Sequence, residues 1–199
     1  MTHHDPILIG LTGLAGSGKD TAADYLCANY GFMCTRFAGP LKAMIEQHLA
    51  ERGIHPQWMH NRTFKEHPIP GIGLSARELM QRLGSAFRDA DADYWVKALA
   101  QQLGLHDLPR SMPVHDRIVV ADTRYLNEAA WIHRLGGHVL RLHREQAAAV
   151  RPHASEQEIA NLPTSAELHN HGTCVEELAP TIDAAMARLG IPEIGVFSA

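Results

Sequence analysis

Lysine is scarce in this chain. Only Lys19, Lys42, Lys65 and Lys97 stand against fourteen arginines in 199 residues. Cysteine is scarce too: Cys27, Cys34 and Cys174 are odd in number, widely spaced and form no CxxC pair. That argues against a disulfide framework or a structural zinc site and fits a reducing cytosol. No apolar run approaches the ~20 residues needed to cross a membrane. The opening "MTHHDPILIGLTG" has no basic region followed by a long apolar stretch, so a signal peptide is not expected. A net positive charge is missing as well. The formal charge is −4 and the pI about 6.4, which gives no support to a general affinity for nucleic acid.

Histidine and arginine are what the chain has in quantity. Among fourteen histidines, the pairs His3–His4 and His169-x-His171 lack the spacing of a closed metal site. Arginine carries a planar fork of donors that suits phosphate oxygens, although codon usage alone would produce the same excess. Hydrophobic residues at 45% and charged residues at 20% describe an ordinary globular chain, of a length that fits one domain or one domain with an insertion.

The pattern along the chain alternates. "ILIGLT" (7–12) reads as a buried strand, and a helix is expected from Lys19, with Ala22, Ala23, Leu26, Cys27 and Tyr30 on one face and Gly31 as its stop. "FMCTRFA" (32–38) reads as a second strand and 40–53 as a helix with Pro at its start and Gly at its end. Residues 54–74 have no clean period. A capping box, Ser75 with Glu78, opens a helix over 75–87, and another covers 93–104. "RIVVAD" (117–122) is a strand, 123–137 a turn into a helix, "HVLRLHR" (138–144) a strand, 145–165 a loop, "AELHN" (166–170) a short last strand and 174–190 an amphipathic helix despite Pro180. This order predicts an α/β fold: a mainly parallel five-stranded sheet with helices on both faces. Ligands in such folds sit at the carboxyl ends of the strands.

Residues 13–21, "GLAGSGKDT", lie where the first strand meets the first helix. Glycines at 13, 16 and 18 let the backbone curl so that N–H groups converge on phosphate oxygens. The helix N-terminus adds partial positive charge, and Lys19 is placed to reach the outer phosphates of a nucleotide. The Ser or Thr expected after this lysine is replaced by Asp20, and a threonine follows only at Thr21. Later strands end in Arg36, in Asp122 and Arg124, and in Arg144, with Arg151 in the loop beyond. Together they put basic groups on the edge where the loop lies, as a clamp on donor and acceptor phosphates requires. Asp122 stands where an acid often holds Mg²⁺ through water. It is followed by Thr123, not Glu, and no Asn-Lys-x-Asp run is present. Neither an ATPase nor a GTPase is favoured; a kinase needs neither feature.

The segments "GSGKDTAADYL" (16–26), "RFAGPLK" (36–42), "KEHPIPGIGLSARELMQRLG" (65–84), "DYWVKAL" (93–99), "VADTRYLNEA" (120–129), "GGHVLRLHR" (136–144), "HASE" (153–156) and "NHGT" (170–173) run in one order over most of the chain. In that combination the chain resembles the bacteriophage-type deoxynucleoside monophosphate kinases of the P-loop nucleoside monophosphate kinase superfamily. The resemblance implies a single kinase domain over 1–199, an acceptor-binding helical insertion over 40–104 and a lid over 144–165. It implies transfer of the γ-phosphoryl of ATP to a deoxynucleoside monophosphate in the cytoplasm, a host's if a phage encodes the chain. Gly13, Ala15, Gly16, Ser17, Gly18, Lys19, Asp20 and Thr21 would handle ATP, with Asn170 bordering adenine. Asp20 and Asp122 would serve Mg²⁺. Arg36, Arg124 and Lys42 would hold the acceptor, beside Asp122. Arg144 and Arg151 would close over the phosphates, and Lys65, Gln81, Arg88 and Trp95 would wall the acceptor base. "SAFRDADAD" (85–93) is shorter than the corresponding family stretch and lacks its Thr-Glu. No nucleic-acid or membrane partner is expected, and a homodimer stays open. The alternatives are another small-molecule P-loop kinase, of the dephospho-coenzyme A or adenylate type, and a nucleotide-binding module without turnover.

Overall fold

Five short apolar runs become strands: β1 (Ile7–Thr12), β2 (Met33–Thr35), β3 (Arg117–Val120), β4 (His138–His143) and β5 (Ala166–His169). They form one sheet in the order β2-β3-β1-β4-β5. All four pairings are parallel, with Ile7 opposite Arg117, Ile9 opposite His138, Met33 opposite Ile118 and Leu140 opposite Ala166. The computed structural model describes residues 6–61, 64–105, 115–144, 158–172 and 174–194.

Alternation along the strands divides the sheet into two faces. Ile9, Leu11, Val119, Ala121, Leu140, Leu142 and Leu168 join one buried cluster with α1 (Lys19–Tyr30) and α7 (Val175–Arg188). The opposite face meets α6 (Leu126–Arg134). Ile132 lies so close over β1 that a Cβ added at Gly10 would come within 2.5 Å of its Cδ1. Helices on both faces of a parallel sheet give the expected three-layer α/β architecture. Gly18 and Gly31 flank α1 as its caps, and the φ of 68° at Gly31 supplies the left-handed stop.

β2 is shorter than the run 32–38. β3 ends at Val120, so the Thr35 carbonyl receives the last bond, from the Ala121 N–H at 2.9 Å, and no strand remains for Arg36 to pair with. The chain then enters a second compact unit, Phe37–Gln102, distinct from the unit made of Met1–Arg36 and Leu103–Ala199. The second unit holds α2 (Gly39–Glu51), α3 (Gln57–His60), a 3₁₀ turn (Phe64–Glu66), α4 (Ala76–Ala90) and α5 (Tyr94–Gln102). Its own core gathers Leu41, Ile45, Leu49, Met59, Ile69, Ala76 and Trp95. The predicted capping box is formed: the Glu78 N–H donates to Ser75 Oγ, and the Ser75 N–H donates to the Glu78 carboxylate at 2.9 Å. No helix among the described residues is long and apolar enough to cross a membrane.

Candidate active site

The loop between β1 and α1 is shaped by glycine. Gly13, Gly16 and Gly18 take φ of 138°, 79° and 102°, all in territory that other residues enter only with strain. Two of them are also pressed by neighbours: a Cβ at Gly13 would collide with the Leu142 carbonyl of β4, and one at Gly18 would come within 2.6 Å of Asn170 Nδ2. No side chain caps α1 at Gly18. The first N–H groups of the helix and its positive end therefore face the mouth of the loop, as anion binding requires. Lys19 curls back over this cradle. Its ammonium donates to the carbonyls of Gly13 (2.6 Å) and Leu14 (2.7 Å) and approaches Ser17 Oγ at 3.5 Å. Ser17 is buried, Ala15 half-buried and Thr21 exposed.

Strand ends bring the other groups. Arg144 follows β4, and its Nη1 donates to the Gly16 carbonyl at 3.4 Å. Arg36 follows β2, and its Nη2 donates to Asp20 Oδ1 at 2.7 Å. Burial works against the Arg36 charge. The bond to Asp20 and the neighbouring Cys34, Asp20 and Asp122 outweigh it and raise the guanidinium pKa further, so Arg36 stays cationic. Asp122 is half-buried in the turn after β3, and the Thr123 N–H ties that turn to the end of β1 through the Leu11 carbonyl (3.0 Å). Arg124 is exposed. Its backbone N–H donates to the Glu128 carboxylate at 2.7 Å, and so does that of Tyr125 at 3.2 Å. Glu128 is only 2% exposed and positions the Arg124 turn. The sequence reading missed it, though its signal was present: an acid placed where it can reach back to the first free N–H groups of a helix.

Asn170, expected to border adenine, has a side chain that is 6% exposed and engaged with backbone at both ends. Nδ2 donates to the Ser17 carbonyl (3.1 Å) and Oδ1 accepts from the Gly172 N–H (3.2 Å), so it braces the phosphate loop from behind. Trp95 is the residue expected in the wall of the acceptor pocket. It is 4% exposed, its indole N–H donates to the Gly84 carbonyl at 3.1 Å, and Phe87 and Tyr94 pack on it. It belongs to the core of the second unit.

The remaining acceptor candidates also lie in that unit. Lys42 is beside His60 Nδ1 (3.1 Å) and Glu46 (3.6 Å). Lys65 and Gln81 are exposed, and Arg88 is half-buried against Gly84. Arg151 and most of the 144–165 span lie outside the described residues. The described end of that span is packed, with Ile159 and Leu162 buried and the Leu162 carbonyl accepting from Arg141 at 2.6 Å.

Among the described residues no group of three or more His, Cys, Asp or Glu converges on a metal position. His143, His169 and His171 stack as rings, 5.2 and 6.0 Å apart, rather than aim at one point. Mg²⁺ in a nucleotide site does not need a protein cage. It takes one or two carboxylates, water and the phosphates themselves. Asp122 and Asp20 satisfy that donor set in kind, and Asp20 is already engaged by Arg36.

A glycine-turned anion loop joins the central strand of a parallel sheet to a helix. Its lysine folds into the loop, and arginines sit at the same sheet edge. Fold and loop together define a P-loop phosphotransferase acting on small molecules. No family model matches the chain. It is 31% identical over 165 residues to the Acanthamoeba polyphaga mimivirus protein named "Putative deoxynucleotide monophosphate kinase", an overlap of 78% of this chain and 83% of that one. It is 24% identical over 174 residues to "Uncharacterized protein ORF76" of Ictalurid herpesvirus 1 (strain Auburn), covering 85% of this chain and 63% of that one. Among solved structures, the shikimate kinase from Bacteroides thetaiotaomicron superposes with a TM-score of 0.51 at 11% identity, over 92% of this chain and 98% of that one, a likeness of fold alone. The chain belongs to the family of the mimivirus protein, within the P-loop kinases.

Proposed function

We propose that the protein transfers the γ-phosphoryl group of ATP to the phosphate of a deoxynucleoside 5′-monophosphate, giving ADP and the deoxynucleoside diphosphate. The observation that carries this reading is the meeting of Lys19, Arg36 and Arg144 around one phosphate loop. The printed name of the mimivirus relative supplies the acceptor class. An oxygen of the acceptor phosphate attacks the γ-phosphorus while the bond to the β,γ-bridging oxygen breaks, and ADP leaves with that electron pair. A phosphate monoester has its second pKa near 6, so its attacking oxygen is already deprotonated at neutral pH. That removes the need for a general base and accounts for Thr123 where a water-activating acid would otherwise stand.

Catalysis then rests on position and charge. The N–H groups of the 13–18 loop and Lys19 hold the donor phosphates. Arg144 exchanges the Gly16 carbonyl for the transferring group, and Arg151 joins it. Arg36 and Arg124 hold the acceptor phosphate. The resemblance assigns Lys42, Lys65, Gln81 and Arg88 to recognition of the acceptor. Mg²⁺ would supply charge neutralisation at the β- and γ-phosphates, and Asp122 is the carboxylate that would hold it through water.

ADP release, measured against a panel of deoxy- and ribonucleoside monophosphates, tests the proposal. Turnover with the deoxynucleotides is expected. Release only with another acceptor identifies a different P-loop kinase, and ATP binding without release identifies a binding module. Arg124→Lys is expected to lower turnover at least ~10-fold with ATP binding intact, because an ammonium cannot reproduce two-point contact with a phosphate. Unchanged turnover would make Arg124 a surface residue.

A further inference from the structure

Asp20 replaces the hydroxyl residue of an ordinary phosphate loop, and its carboxylate does not stand alone. Arg36 leaves the edge strand β2, two strands from the one that carries the loop, and reaches back to Asp20 Oδ1 at 2.7 Å. Both side chains are open to water, at 48% and 79% exposure. A pair so exposed adds little stability, of the order of 0–1 kcal/mol at most. Its effect is on geometry. An arginine on an exposed strand end has a long stem and many rotamers, and a carboxylate from the first turn of α1 selects the one that brings the guanidinium beside the phosphate loop. Asp20 takes one donor of the fork, and among the described residues that is the only hydrogen bond Arg36 makes. The other donors keep the planar face an oxyanion needs. Charge follows the same logic. An acid next to a triphosphate repels it, and Arg36 cancels that charge where it arises.

We infer that Asp20 is a positioning residue for the acceptor phosphate, holding the Arg36 guanidinium in place, and not a ligand of Mg²⁺. This rests on the reading of Arg36 as an acceptor-phosphate group and assigns the unusual residue of the loop to the acceptor side of the reaction.

The two roles separate in the absence of metal. Calorimetric binding of deoxynucleoside monophosphates, with chelator present and no ATP, is measured for the wild type, Asp20→Asn, Asp20→Ala, Arg36→Ala and the Asp20→Ala/Arg36→Ala double variant. Asp20→Ala is expected to weaken monophosphate binding about three- to fivefold, the size of one exposed charge pair, and Asp20→Asn by less. The double variant should bind no worse than Arg36→Ala alone, because residues that act through one another are non-additive. In turnover assays KM for the acceptor should rise while the Mg²⁺ concentration for half-maximal rate stays fixed. Unchanged metal-free binding in Asp20→Ala, or a raised Mg²⁺ requirement with additive losses, overturns the inference and returns Asp20 to the metal. A wild type that binds ATP but no nucleoside monophosphate overturns the acceptor reading itself, and this inference with it. Thermal melts of each variant exclude a folding defect as the cause.

Discussion

At the scale of single residues, the 13–18 loop is braced by a side chain from just past the end of β5. Asn170 bridges the Ser17 carbonyl and the Gly172 N–H from a buried position. Removing it leaves a buried carbonyl unpaired, at a cost of about 1–3 kcal/mol. Asn170→Ala is therefore expected to weaken ATP binding and lower the melting temperature together. Asn170→Asp should do more harm, because it sets a carboxylate oxygen against the Ser17 carbonyl. Titration calorimetry with ATP checks both, and normal affinity in the Asp variant would show that the loop is held without this contact. Asn170 and Trp95 also mark where sequence reading stops. The polar or aromatic identity of a side chain says that it has bonding capacity, not which partner uses it. The Gly84 carbonyl that receives the Trp95 indole and the Ser17 carbonyl that receives Asn170 are backbone groups, invisible in residue types. The glycines of the loop were legible because only one residue type tolerates their φ, and Lys19 was legible because it follows them.

Among elements, α1 and α7 are joined by a polar clamp. The hydroxyls of Tyr25 and Tyr30, both on α1, donate to Asp183 on α7 at 2.9 Å. Burial and then the Asp183 carboxylate push the Tyr25 phenol up to about 12, and the same causes push Tyr30 upward. The neutral phenol is thus favoured in the folded state. Stability from this clamp is complete below pH 10, the ordinary tyrosine value, and is lost as pH rises through about 12. Urea midpoints between pH 9 and 12 should fall more steeply for the wild type than for a Tyr25→Phe/Tyr30→Phe variant, and parallel curves would show that Asp183 does not couple to the phenols. The clamp was not visible in the sequence, since its members are some 150 positions apart. The helices themselves were, through their apolar spacing, the glycine at the end of α1 and the capping box of α4. The reading of β2 was too long because strand length is set by the partner strand, and the end of β3 lies more than eighty residues further on.

At the scale of the whole molecule, a formal charge of −4 opposes a polyphosphate, so binding has to come from local arrangement at one sheet edge. ATP at 100 times its Kd is expected to stabilise the protein by about 2.7 kcal/mol, roughly 5–10 °C in melting temperature for a chain of this size. Lys19→Ala should abolish most of that shift. A full shift in the variant would mean that the nucleotide binds away from the loop. The strand order carries a consequence for the time course of synthesis. β1 sits at the centre of the sheet, yet it comes first in the chain, and its neighbours are β3 and β4. At ~5–20 residues per second on the ribosome, roughly 6 to 26 s separate the emergence of Thr12 from that of His143. Until β3 is made, Leu8, Ile9 and Leu11, which end among the most buried side chains of the protein, have no strand to lie against, and one edge of β1 stays open until β4 follows. The nascent chain has to carry the middle of its sheet as an unpaired apolar segment until its first partner is made, and half-paired until its second.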